Sequence, residues 1–382
     1  MTFTILLLKS INYLVQLRRM AYQTNILRVL KATKRASIID VRSPKEYAQG
    51  HIPGALHIPV FDDEERARVG IQYKQKGRGA ALGLALELVE PKKQELLDRV
   101  RKITKGGGIT LYCWRGGMRS AKFAEFLSEN GIDATVIEGG YKAYRGLLTA
   151  TFEKTWKLLV IGGNTGSGKT ELLQLLGEMG HQVIDLERIA HHKGSAFGHM
   201  GQIPQPTTEQ FQNNLWEQWN KFDDELPILI EDESQAIGKV RIPDSLYKQM
   251  RTAQVLNLQV DKEERVERLV REYACFKDKA LKENTIKLSK RLGGLAVKKA
   301  VCALEKGDYH SVARIVLSYY DKAYTFGLAS REKATVNHLR LSKDDPLNNS
   351  KLIDQFIAEN QHKLWTRSNL PNTVMVQDAD AR

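Results

Sequence analysis

Cysteine is scarce in this chain. Only Cys113, Cys275 and Cys302 occur among 382 residues, far apart and odd in number. That excludes a disulfide framework, and the spacing fits no zinc site, so a reducing cytoplasm is the expected setting. Long apolar runs are missing too. No stretch reaches the roughly eighteen residues that a membrane span needs, so no membrane partner is expected. There is no internal repeat and no low-complexity tract. The first nineteen residues, "MTFTILLLKSINYLVQLRR", resemble a weak signal peptide. Lys9 interrupts them, however, and no small-residue cleavage site follows. They read as an extension ahead of a start at Met20.

Acidic residues are outnumbered: 58 Lys and Arg stand against 45 Asp and Glu, a net charge of +13. Such an excess favours an acidic partner, nucleic acid above all, with a well-solvated basic surface as the plain alternative. The excess is concentrated in residues 262–299, with twelve basic and six acidic residues. Arg265, Arg268, Lys287, Lys290 and Arg291 are the candidate phosphate contacts there.

From Ser37 onward, short apolar runs alternate with helical patterns, the signature of α/β architecture. "ASIIDV", "ALHIPV", "GITLYC" and "DATVIEGG" read as strands of a first unit. A long insertion of helical character separates the second of these from the third. A second α/β unit begins at "WKLLVIGG" and continues through "HQVIDL", "PILIED" and "QVLNLQV". Beyond that the pattern turns mainly helical. From about Ser342 the chain is polar, with "KLIDQFIAENQHKLW" as its clearest element.

Two glycine-rich loops carry the chemistry. In the first, "CWRGGMRS", Cys113 ends a strand and is followed by Trp114, Arg115, Gly116, Gly117, Met118, Arg119 and Ser120. Backbone N–H groups at the start of a helix, together with nearby cations, lower a thiol's pKa and hold an anion. The alternative is a buried strand-end cysteine in an ordinary loop. The second loop runs Gly163, Asn164, Thr165, Gly166, Ser167, Gly168, Lys169 and Thr170 and satisfies the P-loop pattern in full. Its N–H groups and helix dipole suit a diphosphate, Lys169 neutralises the outer oxygens, and Thr170 can place a hydroxyl on Mg²⁺. Asp232, at the end of "PILIED", is the candidate acid for Mg²⁺ or proton transfer, with a solvated acidic loop as the alternative. His191, His192 and His199 have poor spacing for a metal site, so they are expected to serve a loop or a substrate contact.

The spacing from Cys113 to Arg119 and Ser120 fits either a cysteine phosphatase or a rhodanese loop, although Tyr112 stands where a phosphatase has His. Upstream, "IIDVRSPKEYAQGHIPGALHIP" closely resembles the rhodanese signatures. That resemblance implies a chalcogen-carrying Cys113, with Asp40 and Arg42 structural. A rhodanese module followed by a P-loop module resembles the tRNA 2-selenouridine synthase family. "ERARVGIQYKQKG", "HHKGSAFG", "IEDESQAIG", "KRLGG" and "YYDKAY" are further stretches of likeness.

The family resemblance implies a rhodanese-like α/β domain (36–145) after an extension and first helix (1–35). A P-loop NTPase-like parallel α/β domain with a helical basic region (146–341) and a tail (342–382) would follow. It implies conversion of wobble 2-thiouridine in a tRNA anticodon arm to 2-selenouridine, through S-geranyl-2-thiouridine. Geranyl diphosphate and selenophosphate would be co-substrates, with Mg²⁺ possible and no tightly bound cofactor. A contact with a selenophosphate-producing enzyme is a further expectation. A P-loop kinase or NTPase with a regulatory rhodanese domain, a non-catalytic tRNA-binding module and a thiosulfate sulfurtransferase are the rival readings.

Overall fold

The computed structural model describes residues 23–31, 37–104 and 108–365. The extension at 1–19 and the start at Met20 lie outside the described residues. After Thr151 the chain divides into two compact units.

The first unit is built on β1 (Gln23–Thr24), β2 (Ser37–Asp40), β3 (Leu56–His57), β4 (Ile109–Tyr112) and β5 (Ala134–Ile137). These strands run parallel in the order β1-β5-β4-β2-β3. A strand covered on both faces has no solvent side, which is why β4 reads as a continuous buried run rather than an alternation. Helix Met118–Glu129 lays Phe123, Ala124 and Leu127 onto this core beside Ile39, Leu111 and Val136. The long insertion is helix Asp63–Val89, followed by helix Lys93–Thr104. Asp62 and Glu65 form a reciprocal capping box at its start. Gly77 interrupts it with φ 82° and ψ −175°, so it is two helical pieces joined at a kink.

The second unit holds β6 (Leu158–Gly163), β7 (Gln182–Ile184), β8 (Ile228–Glu231), the hairpin β9 (Ala236–Ile237) and β10 (Val240–Arg241), β11 (Gln254–Val260) and β12 (Val336–Leu341). Its main sheet is parallel, in the order β12-β11-β6-β8-β7. The chain leaves central β6 for edge strand β7 and returns to β8, so the carboxyl end of β6 opens at a topological switch point, where parallel sheets bind ligands. Helix Lys169–Glu178 starts there and covers the sheet with Leu172, Leu173 and Leu176.

One strand departs from the reading of the sequence, and one helix extends an element found there. A strand, β12, stands within the stretch expected to be helical. The expected tail carries helix Pro346–Glu359, whose Ile353 and Ile357 are buried in the same core as Leu172 and Leu176. Asp345 caps that helix through the Asn348 N–H and Pro346 starts it, so it begins ahead of the stretch "KLIDQFIAENQHKLW" singled out in the sequence. A separate apolar cluster, including Phe197, Leu281, Leu304 and Val316, fills the space among helices Lys262–Tyr273, Asp278–Lys287, Gly294–Glu305 and Tyr309–Ala329. Among the described residues no helix is long and apolar enough to cross a membrane.

Candidate functional sites

Cys113 sits at the carboxyl end of β4, 3% exposed. Its Sγ accepts from the Gly117 N–H at 3.3 Å and the Ser120 hydroxyl at 3.2 Å. Gly117 is also the N-cap of helix Met118–Glu129, so the sulfur faces the positive end of a helix. The loop is tied down from its far side: Tyr141 N–H donates to the Cys113 carbonyl and Lys142 N–H to that of Trp114, both at 2.9 Å. Gly140 permits this approach. Its φ is 57°, and a Cβ there would stand 2.3 Å from both the Cys113 carbonyl oxygen and the Gly116 nitrogen.

The two loop arginines differ. Arg115 is exposed and makes no hydrogen bond or ion pair among the described residues. Arg119 is half-buried in a two-bond pair with Glu46, at 2.6 and 3.1 Å. Burial alone would raise the Glu46 pKa, but the Arg119 guanidinium brings it below the usual value. Much of the Arg119 charge is therefore already answered, and Arg115 is the freer cation. Beneath the loop, Arg42 pairs with Asp40 at 2.6 Å and lies 4.0 Å over the Tyr141 ring. Tyr112 is fully buried and its hydroxyl accepts from the Ile52 N–H at 3.1 Å, so the place a phosphatase gives to His is taken by a structural ring.

In the P-loop, Gly166 and Gly168 adopt φ of 83° and 77°. Lys169 Nζ donates to the Gly163 carbonyl at 2.9 Å, folded back over the loop it follows. The hydroxyl of Thr170 donates to Glu231 at 3.0 Å and lies 3.2 Å from Glu187. Glu231 is fully buried, and burial, then the neighbouring Glu187, pushes its pKa well above the carboxylate range. Burial and Glu233 raise Glu187 to about 8, and burial and Glu231 raise Glu233 to about 7.

Asp232 is placed otherwise than as the acid beside Thr170. It lines the cleft but forms a 2.6 Å ion pair with the buried guanidinium of Arg331. Glu231, one residue earlier, takes the position at Thr170.

The P-loop forms one wall of a cleft of about 920 Å³. Four of the stretches noted in the sequence converge on it. "HHKGSAFG" supplies Lys193, Gly194 and Ser195, and "IEDESQAIG" supplies Asp232, Glu233 and Ser234. "KRLGG" supplies Arg291, and "YYDKAY" supplies Tyr319, Tyr320 and Tyr324. None of His191, His192 and His199 is among the lining residues. His191 ends a short helix with φ 52°, which gives it a loop role.

The basic region divides. Arg265 and Arg268 are 4% and 7% exposed, so they are not tRNA contacts. Arg265 grips Asp321 at 2.8 and 3.0 Å and donates to the Thr165 carbonyl at 3.2 Å. Arg268 bonds Asp344 and Glu171, with its guanidinium 3.0 Å from where a Cβ on Gly168 would lie. A buried guanidinium stays only where it is paired; Arg265 holds the phosphate loop through Thr165, and Arg268, which also lines the cleft, packs against Gly168. Lys287, Lys290 and Arg291 are exposed.

Residues 156–343 match the family described as tRNA 2-selenouridine synthase AAA domain, and residues 24–147 match the rhodanese-like domain. A tRNA 2-selenouridine synthase of Shewanella denitrificans is 33% identical over 334 residues, covering 78% of this chain and 89% of that protein. The chain belongs to the tRNA 2-selenouridine synthase family.

Another family member, from Bdellovibrio bacteriovorus, is 32% identical across 90% of its length. A Nitrosomonas europaea tRNA 2-selenouridine synthase is 40% identical over 247 residues. That alignment spans 63% of the relative, less than two thirds of its length. The acids Glu187, Glu231 and Glu233 and the cleft tyrosines escaped the reading of the sequence. "IEDESQAIG" and "YYDKAY" contained most of them as likeness without role.

Proposed function

We propose that this chain converts 2-thiouridine at the wobble position of tRNA to 2-selenouridine, through an S-geranyl intermediate. The observation that carries the reading is the pair of anion cradles, one opened by a buried thiol and one by a P-loop surrounded by the family-like stretches. A thiocarbonyl sulfur is a poor leaving group. Its attack on the first carbon of geranyl diphosphate forms a C–S bond and expels diphosphate. The selenium of selenophosphate then adds at C2 and geranylthiol departs; water cleaves the P–Se bond, releasing inorganic phosphate and leaving 2-selenouridine.

The P-loop N–H groups and Lys169 would hold the diphosphate and stabilise its charge as it leaves. The Cys113 loop, with Arg115 free, would serve the selenium step. Mg²⁺ bound to the leaving diphosphate would supply Lewis-acid assistance. Among the described residues no three metal-ligating side chains are gathered for an ion, so the protein would offer Thr170 and Glu231, with diphosphate oxygens completing the shell. Exposed Lys287, Lys290 and Arg291 remain the proposed tRNA contacts. The wobble base would be read in a pocket that stacks an unpaired nucleotide. The cytoplasm is the proposed location, with a selenophosphate-producing enzyme as neighbour.

Lys169→Ala tests the division of labour. It should abolish geranylation of 2-thiouridine tRNA, and supplying tRNA already geranylated should restore selenation. Continued failure of selenation would mean that the P-loop holds selenophosphate or a nucleotide instead.

A further inference from the structure

Next to the P-loop cleft lies a second, smaller cavity of about 70 Å³ within the helical part of the same unit. The two are contiguous. Thr165, Ser195, Leu269, Tyr273 and Tyr320 line both. Away from that shared edge the small cavity is walled by Phe197, Leu281, Leu304, Val312, Ala313 and Val316.

The tyrosine hydroxyls at its border are engaged elsewhere. Tyr320 accepts from the Ala196 N–H at 2.8 Å, and Tyr309 donates to Asp278 at 2.8 Å. The space could admit several waters at roughly 10–15 Å³ each, yet its walls give them almost nothing to bond. An apolar chain is the occupant such walls favour.

We infer that this cavity receives the end of the hydrocarbon tail of a short prenyl diphosphate whose head lies on the P-loop, the rest of the tail running along the shared edge of Leu269, Tyr273 and Tyr320, with Ala313, Leu281 and Leu304 limiting chain length. The inference rests on the prenyl-donor reading above and deepens it. Thr165 ties the two ends together, because it belongs to the phosphate loop and to the apolar wall at once. Arg265 fixes it there through its carbonyl. The narrowness of the cavity and its closed floor of buried Leu281, Leu304 and Val316 suit a slim chain and exclude a purine.

Calorimetric titration of the full chain with Mg²⁺ decides it, using inorganic diphosphate and geranyl thiolodiphosphate, an analogue slow to release its head. Each buried chain carbon strengthens binding roughly fourfold, so the prenyl probe should bind at least about a hundredfold tighter than inorganic diphosphate. Ala313→Phe, which fills the cavity, should cut that preference at least about tenfold and leave inorganic diphosphate within about twofold. Ala274→Leu, a smaller intrusion from another lining residue, should show a lesser loss of the same sign and serves if the first variant does not fold. Folded variants that bind the prenyl probe like the parent would overturn the tail site while sparing the prenyl-donor reading. Equal binding of the two probes by the parent would overturn both.

Discussion

Thr170 donates its hydroxyl to Glu231 at 3.0 Å, and that carboxyl is fully buried with Glu187 beside it. Three carboxyls in so small a space cannot all ionise without cost. Burial, first of all, raises Glu187 to about 8 and Glu233 to about 7. A carboxyl whose pKa is higher folded than unfolded binds extra protons in the native state. Its contribution is therefore present at low pH and lost as pH rises through the folded value. In the absence of ligand, stability should fall between about pH 5 and pH 8 on this account. Glu187→Gln removes one such charge. Its melting temperature should match the parent at pH 5 and exceed it by about 2–4 °C at pH 8.5. An equal difference at both pH values in scanning calorimetry would contradict the assignment.

Gly140→Ala should damage the cysteine loop although it lies outside the loop. The added Cβ would stand 2.3 Å from the Cys113 carbonyl oxygen and the Gly116 nitrogen, at a φ of 57°. The expected cost is at least about 2 kcal/mol, from strain and collision together. Denaturant unfolding measures it. Gly146→Ala on the same helix meets nothing within 4 Å and should be close to neutral.

The arginines and lysines of residues 262–299 should separate in experiment. Arg265→Ala leaves Asp321 without its partner and the Thr165 carbonyl without its donor, at a cost of about 3–5 kcal/mol in unfolding. Lys287→Glu with Lys290→Glu should cost unfolding no more than about 1 kcal/mol, from the lost Lys287–Asn284 bond and the helix C-terminus, and weaken binding of cognate and non-cognate tRNA alike. For every phosphate that no longer meets a lysine, the slope of log affinity against log salt should shrink by about 0.7–0.9. An unchanged slope in the double variant would move the tRNA elsewhere.

The contrast explains what the sequence could and could not disclose. Most strands of both parallel sheets are short apolar runs, and both loops announce themselves by glycines at a strand-to-helix junction, so most of the architecture was readable. A count of charge was not enough for Arg265 and Arg268. Their partners Asp321 and Asp344 stand 56 and 76 residues away, and only the fold brings them together. Strand β12 escaped because polar residues are interspersed along "VNHLRL", with His338 and Arg340 exposed on an edge strand. Glu231 and Asp232 differ by one position at the end of β8. Successive side chains leave a strand on opposite faces, so one reaches Thr170 and its neighbour reaches Arg331. Which of the two faces the phosphate loop depends on register that the sequence alone did not decide.

The central claim is that the buried thiol serves the selenium step while the P-loop serves alkylation. Mass analysis of wobble nucleosides tests it most directly, in cells lacking the gene, supplied with selenium and carrying either the parent chain or Cys113→Ala. The account predicts 2-selenouridine with the parent. With Cys113→Ala it predicts S-geranyl-2-thiouridine accumulating and no 2-selenouridine. Normal 2-selenouridine from Cys113→Ala would contradict it.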